Sequence, residues 1–370
     1  MRIAINTRFL LPSKMEGFGW YTYEVTKRLV ENHPEHEFFF FFDRKYDEKF
    51  IFGKNVTPVV LNPAARHPVL FYVWYEWSVK RALKKYKIDL FFSPDGYLSL
   101  SSKVPQIPVI HDLSFEYYPQ DVPKAPLYYF RYFFPKFAKK AKHIITVSEY
   151  SKQDISKTYG IHPNDITAIW NGASPVYQPI SAEQQHQTKE QYTDGMDYFL
   201  FVGALHPRKN LIRLIQAFEQ FKEKTNSKTQ LLIVGEMLWK DSTFQQAISP
   251  KNQSSVRFTG HLSLDKLAQV MASAKLFTFV PYFEGFGIPL AEAMKCGTPI
   301  LSGNLTSLPE VAGEAAVYCN PFDVADIAAK MEELDNDPQR LMELSEIGLK
   351  RSSQFSWDDC ALKVAKVLGL

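Results

Sequence analysis

The chain has 370 residues, 45% apolar and 22% charged, with a formal net charge of +3. These are globular values, and the length passes the ~250–300 residues at which single cores usually divide, so two domains are expected. No apolar run approaches the ~20 residues of a membrane span, the start Met1-Arg-Ile-Ala-Ile-Asn6 lacks the features of a signal peptide, and Cys296, Cys319 and Cys360 are too scattered for a disulfide framework or a zinc site.

A reducing cytoplasm is therefore the expected setting. The charge is uneven along the chain. Residues 1–180 hold 24 Lys and Arg against 17 Asp and Glu, whereas the remainder holds 19 against 23. No helix-turn-helix, finger or RNA-binding signature accompanies the basic half, so nucleic acid is not expected as a partner. An anionic acceptor or membrane surface suits that half better.

In chain order, short apolar runs predict strands at 2–6, 37–42, 56–61, 88–92, 107–110 and 143–147. Helical patterns fall between them at 19–31, 68–86, 125–140 and 150–159. Such alternation implies a parallel sheet covered on both faces. Residues 176–195 read as a polar linker. A second alternation follows, with strands at 198–202, 230–234, 256–259, 276–280 and 299–302, and helices after Asn210, Asp265 and Pro289. The fold class is α/β, with two doubly wound Rossmann-like domains and ligand expected at the C-terminal ends of their strands. The domains are expected to span 1–175 and 196–352, and the segment 353–370 is expected to return to the first as a helix.

Several constellations carry chemistry. In the first domain Gly17-Phe-Gly19 could let a ligand approach closely, though it lacks the third glycine of a dinucleotide fingerprint. His111 closes a strand and could donate to a substrate hydroxyl or move a proton, or could simply be packed; Asp112 reads as a loop cap. The segments 70–85 and 128–140 mix aromatics with lysines and arginines. They suit either an anionic membrane or a core face with snorkelling lysines. In the second domain, Arg208 and Lys209 stand after a strand and before a helix, where an α/β fold binds phosphate.

The most informative stretch is Glu284-Gly-Phe-Gly-Ile-Pro-Leu-Ala-Glu292. Two carboxylates bracket a glycine turn, and Pro289 suits the first turn of a helix. The free N–H groups there favour an anion such as a diphosphate, and the carboxylates can accept from hydroxyls on either side of it. A nucleotide sugar fits this description.

Together with Trp170-Asn-Gly172, Phe258-Thr-Gly260, Ile233-Val-Gly235-Glu236 and Leu308-Pro-Glu-Val-Ala-Gly313, these motifs resemble the retaining GT-B glycosyltransferases of family 4, the glycosyl transferases group 1, over nearly the whole chain. The resemblance implies two domains facing a central cleft. It implies that Glu284 contacts the donor sugar, that Gly285, Phe286, Gly287, Ile288, Pro289 and Leu290 hold sugar and diphosphate, and that Glu292 holds the ribose. Arg208 and Lys209 would neutralise the leaving diphosphate and His111 would face the transferred sugar. Gly17 and Gly19 would join the donor site, and Gly235, Gly260, His261 and Leu262 would line the base pocket.

No metal or other cofactor is expected, since cations and a helix N-terminus take its role. The expected activity is retaining transfer of a hexose, with a lean to mannose from GDP-mannose over a UDP-linked donor. The acceptor would be a glycan or lipid-linked hydroxyl in surface polysaccharide biosynthesis, and the enzyme would sit in the cytoplasm or peripherally at the inner face of the membrane. The rival readings are a catalytically silent nucleotide-sugar-binding subunit and a GT-B sugar-nucleotide epimerase.

Overall fold

In the computed structural model the described residues are 1–12, 15, 17–235 and 247–370. Glu16 and Glu236, which the motifs above include, lie outside them. The chain divides into two compact units, residues 1–172 with 356–370, and residues 173–355.

The first unit is built on a parallel five-stranded sheet ordered β3-β2-β1-β4-β5, with β1 at Arg2–Asn6, β2 at Glu37–Phe42, β3 at Val56–Val60, β4 at Leu90–Ser93 and β5 at Gln106–Pro108. A further parallel pair, β6 (Ile144–Thr146) and β7 (Ile166–Ala168), is joined through a bridge from Val109 to Ile145. Strands buried on both faces read as unbroken apolar runs. The run Phe38–Phe42 is the clearest case, at most 6% exposed throughout.

The helix Gly17–Asn32 covers this sheet together with the closing helix Trp357–Leu368. Arg28 Nε donates to Asp358 at 2.5 Å, and the Tyr21 and Trp357 rings meet edge-on at 6.1 Å. A Cβ on Gly172 would stand 2.3 Å from the Trp357 backbone nitrogen. Glycine there lets the chain pass over the start of the closing helix.

The second unit carries a parallel six-stranded sheet ordered β10-β9-β8-β11-β12-β13. Its strands are β8 (Tyr198–Val202), β9 (Gln230–Val234), β10 (Val256–Gly260), β11 (Leu276–Phe279), β12 (Ile300–Gly303) and β13 (Ala316–Cys319). The order reverses between β8 and β11, which places a topological switch point at their C-terminal ends.

The structure adds detail to three of these expectations. Residues 176–195 are more than a linker. They include the helix Ala182–Thr193, started by a capping box in which Ser181 and Gln184 satisfy each other's backbone, and this helix packs within the second unit. Gly17 and Gly19 lie in the first turn of a helix, where a Cβ on Gly19 would come within 2.8 Å of the Phe9 carbonyl oxygen. The helix expected at 68–86 is three consecutive pieces, Pro68–Val73, Trp74–Val79 and Lys80–Lys85, the middle one widened to π geometry.

Candidate active site

At the switch point of the second unit, β8 runs into a turn of 3₁₀ helix at Pro207–Lys209, capped by His206, whose ring nitrogen accepts from the Arg208 N–H at 3.2 Å. Asn210 then takes a left-handed conformation (φ 61°). Its side-chain amide donates to the carbonyls of Val280 at 2.9 Å and Pro321 at 2.6 Å. The cation loop is thus fastened to the loop that follows β11.

That second loop brings Glu284 to the cations. Arg208 Nη1 lies 2.8 Å and Lys209 Nζ 2.6 Å from the same oxygen, Glu284 Oε1. Arg208 Nη1 also donates to the Phe283 carbonyl at 2.6 Å, and Lys209 Nζ stands 5.0 Å from the centre of the Phe279 ring. Glu284 is 7% exposed. Burial alone would raise its pKa, but Arg208 and Lys209 outweigh that effect and hold the carboxyl below its ordinary value. Among these three side chains two cations share one carboxylate, a setting that suits an anionic group.

The loop backbone is pinned as well. The Glu284 N–H donates to Thr306 Oγ1 at 3.2 Å, and Ser307 Oγ donates to the Glu284 carbonyl at 2.9 Å. Thr306 and Ser307 were not singled out in the sequence. Gly287 then turns the chain with φ 88°, and a Cβ there would meet Leu308 Cδ2 at 3.1 Å. The turn opens the helix Ile288–Cys296, with Pro289 in its first turn and Gly297 (φ 71°) as its left-handed C-cap.

Glu292 lies on that helix in a different environment. Burial pushes its carboxyl up to about 7, against the opposing effects of the Tyr177 hydroxyl and the Lys209 charge. The sequence thus places two carboxylates on one element, and the structure gives one a lowered and the other a raised pKa. Gly235 follows β9, and a Cβ there would fall 1.9 Å from the Gly203 carbonyl oxygen, so only glycine fits beside the end of β8. Gly260 ends β10, and His261, which is exposed, and Leu262 follow it.

His111 belongs to the first unit. Its Nε2 lies 2.8 Å from the Pro94 carbonyl, and its ring meets Phe18 and Tyr21 edge-on at 4.8 and 4.9 Å. A carbonyl can only accept, so Nε2 carries the proton and Nδ1 of the neutral ring is an acceptor. Burial lowers the His111 pKa, which favours that neutral form. Asp112 Oδ1 accepts from the Ser114 N–H at 2.9 Å, the loop cap that its position suggests.

The family models agree with this geometry. Residues 183–351 match the glycosyl transferases group 1, and residues 15–176 match glycosyltransferase family 4. The chain belongs to this glycosyltransferase family. It is therefore an enzyme of glycosyl transfer, and the epimerase and silent-subunit readings fall away. It is 28% identical over 359 residues to the O-antigen chain mannosyltransferase B of Escherichia coli, covering 94% of each chain. To the O-antigen chain mannosyltransferase RfbU of Salmonella typhimurium it is 27% identical over 302 residues, 80% of each. Among solved structures, Anabaena Alr3699/HepE in complex with UDP and glucose superposes with a TM-score of 0.78 at 17% identity, over 100% of this chain and 99% of that one. This likeness shows the GT-B fold of the glycosyltransferase.

Proposed function

We propose that the enzyme transfers mannose from a nucleoside-diphosphate donor, GDP-mannose, to a glycan or lipid-linked hydroxyl in the assembly of a surface polysaccharide. The observation that carries the donor class is the Arg208–Glu284–Lys209 cluster beside the N-terminus of the helix Ile288–Cys296. Mannose as the sugar is supported by the likeness to O-antigen mannosyltransferases over 94% and 80% of the chain. In this reading Glu284 receives sugar hydroxyls, the turn Gly285–Leu290 holds the diphosphate and Glu292 receives the ribose. Gly235, Gly260, His261 and Leu262 border the base.

As the bond from the anomeric carbon to the diphosphate oxygen breaks, the sugar gains oxocarbenium character and negative charge grows on the diphosphate. Arg208 and Lys209 stabilise that charge. The departing oxygen takes the acceptor's proton, and the acceptor oxygen bonds to the anomeric carbon from the same face, with retention. No metal is needed in this scheme, so chelator should leave the rate unchanged.

We assign a membrane role to the first unit's aromatic surface. Trp74, Tyr75, Tyr129 and Phe137 are core, while Trp77, Tyr72, Tyr128 and Tyr132 are 57, 47, 72 and 59% exposed. Lys136 Nζ sits 3.2 Å from the centre of the Tyr132 ring, and Arg81 caps Trp77 at 5.6 Å. No described helix is long and apolar enough to cross a membrane. Exposed aromatics among cations are the pattern of a surface that rests on anionic lipid.

Incubation with labelled GDP-mannose, UDP-glucose and lipid-linked acceptors tests the reaction. Mannosyl transfer from the GDP donor is expected, and faster transfer from the UDP donor would overturn the donor assignment. Flotation with anionic vesicles tests the surface. Serine at Trp77, Tyr128 and Tyr132 should release the protein; equal binding to neutral vesicles would remove the anionic-lipid preference, and unchanged binding of the variant would remove the membrane role.

A further inference from the structure

We propose that Thr306 is a positioning residue for the transfer step, its hydroxyl fixing the Glu284 peptide and so the direction from which the Glu284 carboxylate meets the sugar. The proposal rests on the assignment of Glu284 to the donor sugar. Thr306 lies between β12 and the short helix Leu308–Ala312. Its φ is 59°, in the left-handed region that glycine enters freely and a β-branched residue rarely adopts. The other non-glycine residues with positive φ among the described residues are Lys87, Asp194, Asn210 and Asn226, so Thr306 is the one β-branched case. A backbone of this kind persists where its surroundings hold it, and such residues gather at functional sites.

The hydroxyl is engaged on two sides. Thr306 Oγ1 accepts from the Glu284 N–H at 3.2 Å and donates to the Leu305 carbonyl at 2.8 Å. The next residue takes the other polar group of Glu284's backbone, since the buried Ser307 Oγ donates to the Glu284 carbonyl at 2.9 Å. Leu308, buried as well, is the side chain that a Cβ on Gly287 would crowd at 3.1 Å. Three successive residues therefore shape the turn Glu284–Gly287, two at its first residue and one at its last.

The ion pairs do not supply this by themselves. Arg208 and Lys209 both meet Glu284 Oε1, so they fix the place of one oxygen. The direction of the other follows from the main chain that carries the side chain, and Thr306 and Ser307 hold that main chain. Catalytic groups act at full strength only when such supports keep them in the productive geometry. Glycine at 306 would take the same φ without strain but would leave the Glu284 N–H without its acceptor. Backbone shape and hydroxyl are therefore separable by substitution.

The test compares wild type, Thr306→Gly, Thr306→Ser and Glu284→Gln in steady-state transfer from GDP-mannose and UDP-glucose, read on the faster donor. Calorimetric titration of GDP and UDP accompanies it, and a thermal melt confirms folding. Thr306→Gly should bind the better nucleotide as wild type does and lose about three- to tenfold in kcat, the scale of one neutral hydrogen bond. Thr306→Ser, which keeps the hydroxyl, should keep the wild-type kcat. If Thr306→Gly transfers at the wild-type rate while Glu284→Gln is slow, the positioning role is overturned and the Glu284 assignment stands. A Thr306→Ser as slow as Thr306→Gly overturns it too, because the hydroxyl is then not what matters. So does a parallel loss of nucleotide affinity in Thr306→Gly, the mark of general support for the turn. If Glu284→Gln itself transfers at the wild-type rate, the Glu284 assignment fails and the proposal with it.

Discussion

Glu284 and Glu292 are the same residue type eight positions apart, and their surroundings give them opposite pH behaviour. Glu284 is held below the ordinary carboxyl value, so its ion pairs with Arg208 and Lys209 contribute fully above the unfolded pKa. That contribution is lost as pH falls through the lower folded value. Glu284→Gln should therefore melt below wild type at neutral pH, with the gap closing as pH falls below the ordinary carboxyl range. Glu292 is raised to about 7, so the folded protein keeps a proton that the unfolded chain has already lost between about 4.5 and 7, and stability falls as pH rises through that window. Glu292→Gln should accordingly gain on wild type between pH 5 and pH 8. Differential scanning fluorimetry across pH reads both, and parallel trends in the two variants would refute the assignment. In activity, Glu284→Gln should lower kcat by about 10²–10³, the scale of losing one electrostatic contact at the reacting centre. Transfer at the wild-type rate would remove Glu284 from the site.

The element that positions these side chains is the turn Glu284–Gly287 with the helix behind it. Gly287 combines a left-handed backbone with Leu308 at the distance where a methyl would begin to crowd. Gly287→Ala should cost about 1–3 kcal/mol of stability and lower donor affinity as the helix start shifts, measurable as paired melting and binding curves. An alanine variant with unchanged melting and donor binding would show that the turn tolerates another conformation. Much of this element was legible from Pro289 and Gly297, because start and stop chemistry is local. β1, β2, β8 and β9 were legible to the residue because their unbroken apolar runs end in polar or glycine breaks. β7 and β13 were not, since Ile166–Ala168 and Ala316–Cys319 are short and only partly buried. The helix Ala182–Thr193 has almost no apolar face, and the pairing of Ser181 with Gln184 was its one local signal. Asn210, Thr306 and Ser307 escaped notice for a different reason. Their value to the site lies in partners distant in sequence, such as Val280 and Pro321 for Asn210.

At the scale of the whole molecule, the closing helix is the segment whose place depends least on its neighbours in sequence. It follows the second unit along the chain yet belongs to the first, and the pattern of Trp357, Cys360, Ala361, Val364, Ala365 and Leu368 at helical spacing explains why. Each of these side chains is 5% exposed or less. Burying Trp357, Val364 and Leu368 contributes roughly 1.5–3 kcal/mol apiece, as an upper estimate. Their sum is comparable with the ~5–15 kcal/mol that stabilises a typical domain. A chain ended after Phe355 should therefore lose the cooperative melt of the first unit. The second unit, with its own core of Phe199, Leu214, Phe218, Ile233 and Leu301, should keep its transition and its affinity for the nucleoside diphosphate. Trp357→Ala in the full chain is the milder form of the same test, expected to cost about 3–5 kcal/mol in the first unit alone. Calorimetry separates the outcomes. A truncated chain with the full-length protein's melting profile would mean that the first unit closes its core without the returning helix.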